Sequence, residues 1–196
     1  MKFTKRLFSL LAVVVALGLG ARAAQAAPFD QQFIDSMVPH HQSALVMAQM
    51  AVTKAQYPEV KRLARSIIRD QKKEIAQMKA WRKAWYPKAA MPMDQGAMGD
   101  MKMSDDKMMI EAVEMMGLPM KGEMDMGKLK KAKGREFDRM FLQMMIPHHA
   151  GAVMMADEAL KVTGRLQLRK LSRAIISSQA REIGQMQGIL DRRFGR

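Results

Sequence analysis

The stretches Met37-Val38-Pro39-His40-His41 and Met145-Ile146-Pro147-His148-His149 are near copies of each other and contain all four histidines of the chain. Both lie inside longer matching segments, because an offset of 108 aligns residues 29–82 with residues 137–190 without a gap and gives 20 identical pairs. Such self-similarity indicates one supersecondary unit used twice. The fold is therefore decided by this unit and its copy.

The first copy predicts a helical hairpin. From Phe29 to about Ala55, apolar residues recur at three- and four-residue spacing, the period of an amphipathic helix. A turn at Gln56-Tyr57-Pro58 leads to a second helix, from about Glu59 to Trp85, which ends before Pro87. The second copy predicts helices from about residue 135 to 163 and from 166 to about 193, with a turn at Gly164.

Pro39 falls inside the first predicted helix, where it removes the hydrogen bond to the carbonyl of Asp35. Because the apolar phase continues through the proline, we expect one kinked helix rather than a new helix that begins at Pro39. The same argument applies to Pro147 in the second copy.

The N-terminus has the three-part pattern of a secretory signal. Lys2, Lys5 and Arg6 precede an apolar run from Leu7 to Leu19, and the small-residue triplet Ala24-Gln25-Ala26 follows. The apolar run is shorter than the roughly 20 residues that cross a bilayer. We therefore expect cleavage near Ala26 and an exported protein, periplasmic or otherwise, that does not insert into the membrane after cleavage.

Four amphipathic helices bury their apolar faces best as a four-helix bundle. The prediction is an all-α, ferritin-like bundle, with residues 27–196 as one compact domain. Its parts are a first hairpin repeat over residues 27–86, a Met-rich linker over 87–134 and a second repeat over 135–196. A short helix is expected in the linker, capped by Ser104-Asp105-Asp106 and ending near Met116.

Charge and cysteine content exclude several classes of function. The formal net charge is +14, and it falls to +10 when the four basic residues of the first 26 are removed. Lys and Arg are scattered through the helical segments rather than gathered in long runs, so we interpret them as solvated helix faces and expect no nucleic-acid partner. The chain has no cysteine, which excludes disulfides and thiolate ligands.

Histidine and methionine are therefore the candidate metal ligands. Imidazole binds borderline metals such as Cu(II), whereas the methionine thioether selects Cu(I) or Ag(I). The candidate histidines are His40, His41, His148 and His149. Adjacent helical residues diverge by roughly 100°, so we expect one histidine of each pair to face the bundle axis, while the other binds a metal at the periphery or orients its neighbour. The alternative is a buried imidazole that bonds Glu74, Gln71 or Asp30 and contributes only to packing.

Two groups of methionines are candidates. The bundle group has flexible core packing as an equally good explanation; it comprises Met37, Met47, Met78, Met145, Met155 and Met186. The linker group lies among polar residues, where packing is a poor explanation, and we expect it to be exposed; it comprises Met91, Met93, Met101, Met103, Met124 and Met126.

Two other classes of protein are alternatives to a copper-binding protein. A di-metal carboxylate oxidase would use Glu from two helices and Glu-x-x-His from two others. Glu74 and Glu182 are available, but neither has a histidine three residues later. A basic, Met-rich adaptor that binds another protein or a membrane surface would explain the charge, but it gives the duplicated histidines no role.

The repeated motifs resemble domain-of-unknown-function family 305. The resemblance rests on Phe-Asp-x-x-Phe-x-x-x-Met-x-Pro-His-His-x-x-Ala-x-x-Met-Ala, which begins at Phe29 and again at Phe137, and on Gln-x-x-Glu-Ile-x-Gln-Met, which begins at Gln71 and again at Gln179. The resemblance implies a ferritin-like helical bundle and copper sequestration or transfer during metal stress, with the His-His pairs and the motif methionines as ligands. The Met-rich linker is outside the repeated motif.

The sequence therefore predicts an exported, non-enzymatic copper-binding protein. Cu(I) is favoured, with Cu(II) and, as a mimic, silver as further ions. The expected partners are metal ions and another periplasmic copper protein or exporter. The oligomeric state is not indicated by the sequence.

Overall fold

The computed structural model describes residues 27–89 and 125–195. These two ranges contain five α-helices: α1 (Phe29–Lys54), α2 (Pro58–Trp85), α3 (Met126–Lys131), α4 (Gly134–Val162) and α5 (Leu166–Phe194). The predicted all-α class is confirmed, and the four long helices begin and end within a few residues of the predicted positions. The signal segment and the helix expected over residues 104–116 lie outside the described residues.

The prolines lie at the predicted positions in the helices, and the kink expected at Pro39 and Pro147 remains a prediction. Pro39 and Pro147 lie inside α1 and α4, each of which continues as one helix through its proline. Pro58 is in the first turn of α2, where its missing N–H costs no hydrogen bond. The interpretation of one continuous helix in each repeat is therefore confirmed.

The four long helices form a bundle of two antiparallel hairpins. Helix α1 packs along α2, and α4 packs along α5, while the hairpins meet mainly through α1 and α4. Helices α2 and α5 are also neighbours, with fewer contacts. This arrangement leaves α1 and α4 on one side of the bundle and α2 and α5 on the other.

Two apolar clusters fill the bundle, one at each end. The first joins the C-terminal half of α1 and the N-terminal half of α2 to the start of α4 and the end of α5; it includes Met47, Ile67, Phe137, Phe141 and Ile189. The second joins the opposite halves of the same helices; it includes Phe33, Met37, Met78, Ala156 and Leu168. The Pro-His-His segments of α1 and α4 come between the two clusters along each helix.

Helix α3 closes the first apolar cluster. Met126, Leu129 and Ala132 are buried and belong to that cluster, and the carboxylate of Asp125 accepts a hydrogen bond of 2.9 Å from the N–H of Lys128 at the helix start. The expectation that Met126 is an exposed linker residue is wrong, because its side chain is only 5% exposed. A six-residue amphipathic turn places it in the core although its sequence neighbours are polar.

Aspartates tie each hairpin to the turn of the other. Asp138 is fully buried in α4, and its carboxylate accepts hydrogen bonds from the backbone N–H groups of Gln56 and Tyr57 at 2.7–3.1 Å. Asp30, its counterpart in the first repeat, accepts a 2.9 Å bond from Arg165 in the turn between α4 and α5. The duplicated aspartate therefore fixes how the hairpins are placed against each other.

Within the two described ranges, no helix is long and apolar enough to cross a membrane. The ferritin-like character of the bundle remains a prediction.

Replacing Asp138 with alanine tests whether its hydrogen bonds to the turn of the first hairpin stabilise the packing of the two hairpins. The substitution leaves the backbone N–H groups of Gln56 and Tyr57, whose hydrogen bonds are part-buried, without the acceptor they have here, so we expect the free energy of unfolding to fall by about 1–2 kcal/mol. The measurement is urea denaturation followed by circular dichroism. Asp157→Ala is the matched control, because Asp157 is 56% exposed and its pair with Lys161 is a surface ion pair. Equal losses in the two variants would contradict the proposed role of Asp138.

Candidate metal centre

All four histidines are buried in the middle of the bundle. His40 and His41 are 1% and 0% exposed, and His148 and His149 are 2% and 0% exposed. Imidazole is rarely buried to this degree without a partner for its ring nitrogens. We call the four histidine side chains the imidazole layer. The contacts of their ring nitrogens determine whether this layer can bind a ligand.

His41 and His149 each bond a glutamate of the partner helix in their own hairpin. The Nε2 atom of His41 lies 2.7 Å from an oxygen of Glu74, and that of His149 lies 2.8 Å from an oxygen of Glu182. The sequence alternative in which a buried histidine bonds Glu74 is therefore confirmed for His41. The alternative that places the second histidine of each pair at the periphery is wrong, because the inner surface of each hairpin encloses it.

His40 and His148 meet where α1 packs against α4. Their ring centroids are 3.9 Å apart, and the ring planes are inclined by 44°. Helix geometry therefore separates the two members of each pair as expected: one faces the other hairpin, and one faces the partner helix.

Burial keeps His40 and His148 neutral. Desolvation, with a smaller contribution from the neighbouring imidazoles, lowers the pKa of His40 from 6.5 to about 3. The same causes hold the pKa of His148 well below its ordinary value. A neutral imidazole has a lone pair on one ring nitrogen, which is the form that binds metal ions.

Ser43 makes the two repeats unequal. Its hydroxyl donates a 2.7 Å hydrogen bond to the carbonyl of His40 and also lies 2.7 Å from Nε2 of His148. A hydroxyl has one proton, and the carbonyl can only accept, so Nε2 of His148 carries the hydrogen and donates to Ser43. The lone pair of His148 is then on Nδ1. The position equivalent to Ser43 in the second repeat is Gly151, which has no hydroxyl for His40.

Several buried side-chain polar atoms have no hydrogen-bond partner among the described residues. They are both ring nitrogens of His40, Nδ1 of His41, His148 and His149, both amide atoms of Gln71 and Gln179, Oε1 of Gln42 and Oγ of Ser172. Each such atom costs about 1–3 kcal/mol when it is left unsatisfied. The five imidazole nitrogens among them belong to histidines that lie between the two apolar clusters, an arrangement typical of a site that receives an ion or water. Nitrogen donors with free lone pairs fit a borderline metal ion such as copper.

The bundle methionines lie in the apolar clusters beside this layer. Met37, Met47, Met78, Met145 and Met186 are at most 1% exposed, and Met155 is half-buried against the second cluster. Met37 and Met145 each precede the central histidine by three residues, which places them on the same helix face. The remaining linker candidates lie outside the described residues; they are Met91, Met93, Met101, Met103 and Met124.

A carboxylate-rich metal cluster is not found in the described part of the chain. No three or more side chains of His, Asp or Glu lie close enough there to share a metal ion. Glu74 and Glu182 are bonded to separate histidines. Within residues 27–89 and 125–195 the histidines therefore do not form a group of three or more metal ligands either, and the geometry offers paired imidazoles with methionine nearby. The cluster of carboxylates that a di-iron or di-manganese oxidase needs is not present in these ranges.

Sequence reasoning missed the part that Ser43 plays in the layer. Gln71 was one of the expected bonding partners of a buried histidine, but its amide atoms have no hydrogen-bond partner among residues 27–89 and 125–195, and the same holds for its counterpart Gln179. The signal for Ser43 was the difference between the repeats at this position, since the neighbouring histidines are identical.

The low pKa of His40 predicts a pH-dependent stability of the metal-free protein. Below pH 6.5 the unfolded chain binds a proton at His40 that the folded chain does not bind until about pH 3. The free energy of unfolding should therefore fall as the pH falls from 6.5, by up to about 1.4 kcal/mol per pH unit for this one histidine. Urea denaturation between pH 4.5 and 7.5 measures this slope.

The comparison variants are His40→Gln and Ile34→Val. His40→Gln should have the flatter dependence, while Ile34→Val should lose stability equally at every pH, because Ile34 is buried and does not titrate. Parallel curves for wild type and His40→Gln would rule out the assignment of a neutral, desolvated imidazole at position 40.

Comparisons with known proteins agree with this architecture. The family described as "Domain of unknown function (DUF305)" matches residues 30–190. The silver-bound structure of CopM is 40% identical, covers 85% of this chain and 98% of its own, and has a TM-score of 0.66. A Cu(I)-bound structure of CopM has a TM-score of 0.65. A Cu(II)-bound structure of CopM is 44% identical and has a TM-score of 0.62. The match covers 81% of this chain and 93% of that chain.

Two further relatives are similar. A "putative secreted protein DUF305 from Streptomyces coelicolor" is 28% identical with a TM-score of 0.65, covering 84% of this chain and 93% of its own. "Uncharacterized protein L153" of Acanthamoeba polyphaga mimivirus is 32% identical over 78 residues, which are 40% of this chain and only about half (51%) of that protein. Because the family match spans most of the chain and CopM is similar over nearly its whole length, the chain belongs to the DUF305 family.

Proposed function

We propose that this chain is an exported, non-enzymatic protein that binds copper, and silver as a mimic, through histidine and methionine. The observation that carries the proposal is the buried imidazole layer, in which four Nδ1 atoms and Nε2 of His40 have no hydrogen-bond partner in the part of the chain that the structure describes. Copper is the cargo of this site.

The glutamate-bonded histidines and the central histidines would contribute differently to metal binding. His41 and His149 hold a glutamate at Nε2 and leave Nδ1 free, which is the carboxylate–histidine arrangement that orients metal-binding imidazoles and makes them more basic. His40 has both nitrogens free, and His148 has Nδ1 free. Met37 and Met145, on the same helix faces, would add the soft sulfur that favours Cu(I).

The relatives support this choice of metal. CopM has been solved with silver, Cu(I) and Cu(II), the three ions that a mixed nitrogen and thioether donor set accepts. Export is supported by the signal pattern of the first 26 residues and by the secreted DUF305 relative. The proposed role is sequestration or transfer in metal resistance or homeostasis, with another periplasmic copper protein or an exporter as the partner in transfer.

The depth of the layer favours sequestration at the histidines. A metal ion must pass between packed helices to reach side chains that are at most 2% exposed, so both uptake and release should be slow. The linker methionines, which lie in a polar sequence, would collect Cu(I) or Ag(I) before it enters the bundle. Rapid transfer to a partner would then use the linker rather than the histidines.

Cu(I) titration against a competing chelator tests the proposal. Removing nitrogen donors in His40→Gln/His148→Gln should abolish at least one tightly held copper per chain, and Met145→Leu should weaken binding about tenfold through the loss of one ligand. Met144→Leu is the matched control for Met145→Leu, because both methionines are buried and only Met145 belongs to the repeated motif. Circular dichroism would establish that each variant is folded.

One result of this titration would contradict the proposal. If wild-type protein binds no more copper than a variant that lacks both the four histidines and the linker methionines, the chain is not a copper-binding protein of this kind. Iron or manganese in protein isolated from copper-exposed cells, together with turnover of a substrate, would support the oxidase instead.

A further inference from the structure

Positive charge is concentrated on two of the four long helices. Helix α2 contains nine Lys and Arg residues against three acidic ones, a net charge of +6, and α5 contains six against two, a net charge of +4. Helices α1 and α4 each have a net charge of −1. The basic residues that look scattered along the sequence are therefore segregated in the fold.

The basic residues form an exposed stripe on each of these helices. The stripe on α2 includes Arg62, Arg65, Arg69, Lys72, Lys73 and Lys83, and the stripe on α5 includes Lys170, Arg173, Arg181, Arg192 and Arg193. Among the acidic residues of these two helices, Asp191 is exposed, and Asp70, whose side chain is 40% exposed, pairs with Arg69. The internal repeat retains the stripe, since Arg62, Arg65 and Lys73 correspond to Lys170, Arg173 and Arg181. We call this surface the basic face.

Both stripes belong to one side of the bundle. Helices α2 and α5 are neighbours whose apolar residues meet in the first cluster, and Arg193 of α5 forms a 2.7 Å ion pair with Glu59 of α2. Helices α1 and α4, with their slightly acidic balance, occupy the opposite side. The molecule is thus electrostatically two-sided, which orients it in the field of a charged surface.

The chemistry of the basic face favours lipid headgroups over a protein partner. Stable protein interfaces need a buried apolar or aromatic centre from which charges are depleted. The large exposed apolar side chains in the described ranges are Met154 and Val162 on α4 and Leu166 at the first residue of α5, so none lies within the stripes. Phospholipid headgroups need only dispersed Lys and Arg, and each such residue near an anionic bilayer increases affinity by about fivefold.

We propose that the basic face docks this protein on the surface of an anionic phospholipid bilayer. The 28 residues of α2 extend about 42 Å, so one helix can contact several headgroups at once. Docking through α2 and α5 leaves α1 and α4 directed away from the membrane. The contact is peripheral and does not depend on whether copper is bound.

Vesicle co-sedimentation tests the proposal, with exported protein that lacks residues 1–26. At low salt the protein should sediment with vesicles of phosphatidylglycerol and phosphatidylcholine and not with phosphatidylcholine alone, and 0.5 M NaCl should release it. The triple variant Arg65→Glu/Lys73→Glu/Arg173→Glu should lose at least about 100-fold in apparent affinity, which is three residues at about fivefold each.

The matched control has the same change in net charge on another surface. Lys131→Glu/Lys133→Glu/Arg139→Glu alters three exposed residues outside α2 and α5 and should retain most of the affinity. Equal losses in the two triple variants would mean that net charge alone attracts the protein, and the basic face would be rejected. Absence of sedimentation with anionic vesicles, while polyglutamate binds the protein at low salt, would overturn the membrane proposal in favour of an acidic macromolecule.

Discussion

The burial of four imidazoles between two apolar clusters governs how the four long helices pack. The helices α1 and α4 must approach closely enough to bring His40 and His148 together, with ring centroids 3.9 Å apart, and the outer helices must supply Glu74 and Glu182 to the other two histidines. Such a layer contributes less to stability than an apolar core would, because several of its nitrogens have no hydrogen-bond partner among the described residues. A binding role explains why a helical bundle would keep it.

Duplication accounts for most of the geometry, and divergence accounts for the asymmetry of the site. The pairs His41–Glu74 and His149–Glu182 are copies, as are the aspartates that tie the hairpins together. Ser43 has no copy, since Gly151 takes its place, so His148 gains a hydrogen bond that His40 lacks. The two halves of the layer therefore differ in chemistry although their backbones follow the same plan, since His40 has two ring nitrogens without a hydrogen-bond partner among the described residues and His148 has one.

Helix positions were predictable from the sequence because apolar spacing is a local signal. The repeat, the turns at Pro58 and Gly164, and the continuity of α1 through Pro39 all follow from residues close together in the chain. The partner of His41 is 33 residues away, and it could be named only as one of three candidates, because the relative rotation of two helices is set by packing along their whole length. Met126 was misplaced for the same reason, since a short amphipathic turn gains its buried position from helices distant in sequence. The basic face could not be predicted from the sequence, because the exposed Lys and Arg residues of α2 and α5 come together only when these two helices pack as neighbours.

X-ray absorption at the copper edge tests whether the imidazole layer is the copper site. The protein would carry leucine at the linker positions Met91, Met93, Met101, Met103 and Met124 and one equivalent of Cu(I). We expect both imidazole nitrogen and thioether sulfur around the metal, with the nitrogen signal lost when His40 and His148 are replaced by glutamine. A sulfur-only environment that is unchanged by those replacements would contradict this expectation.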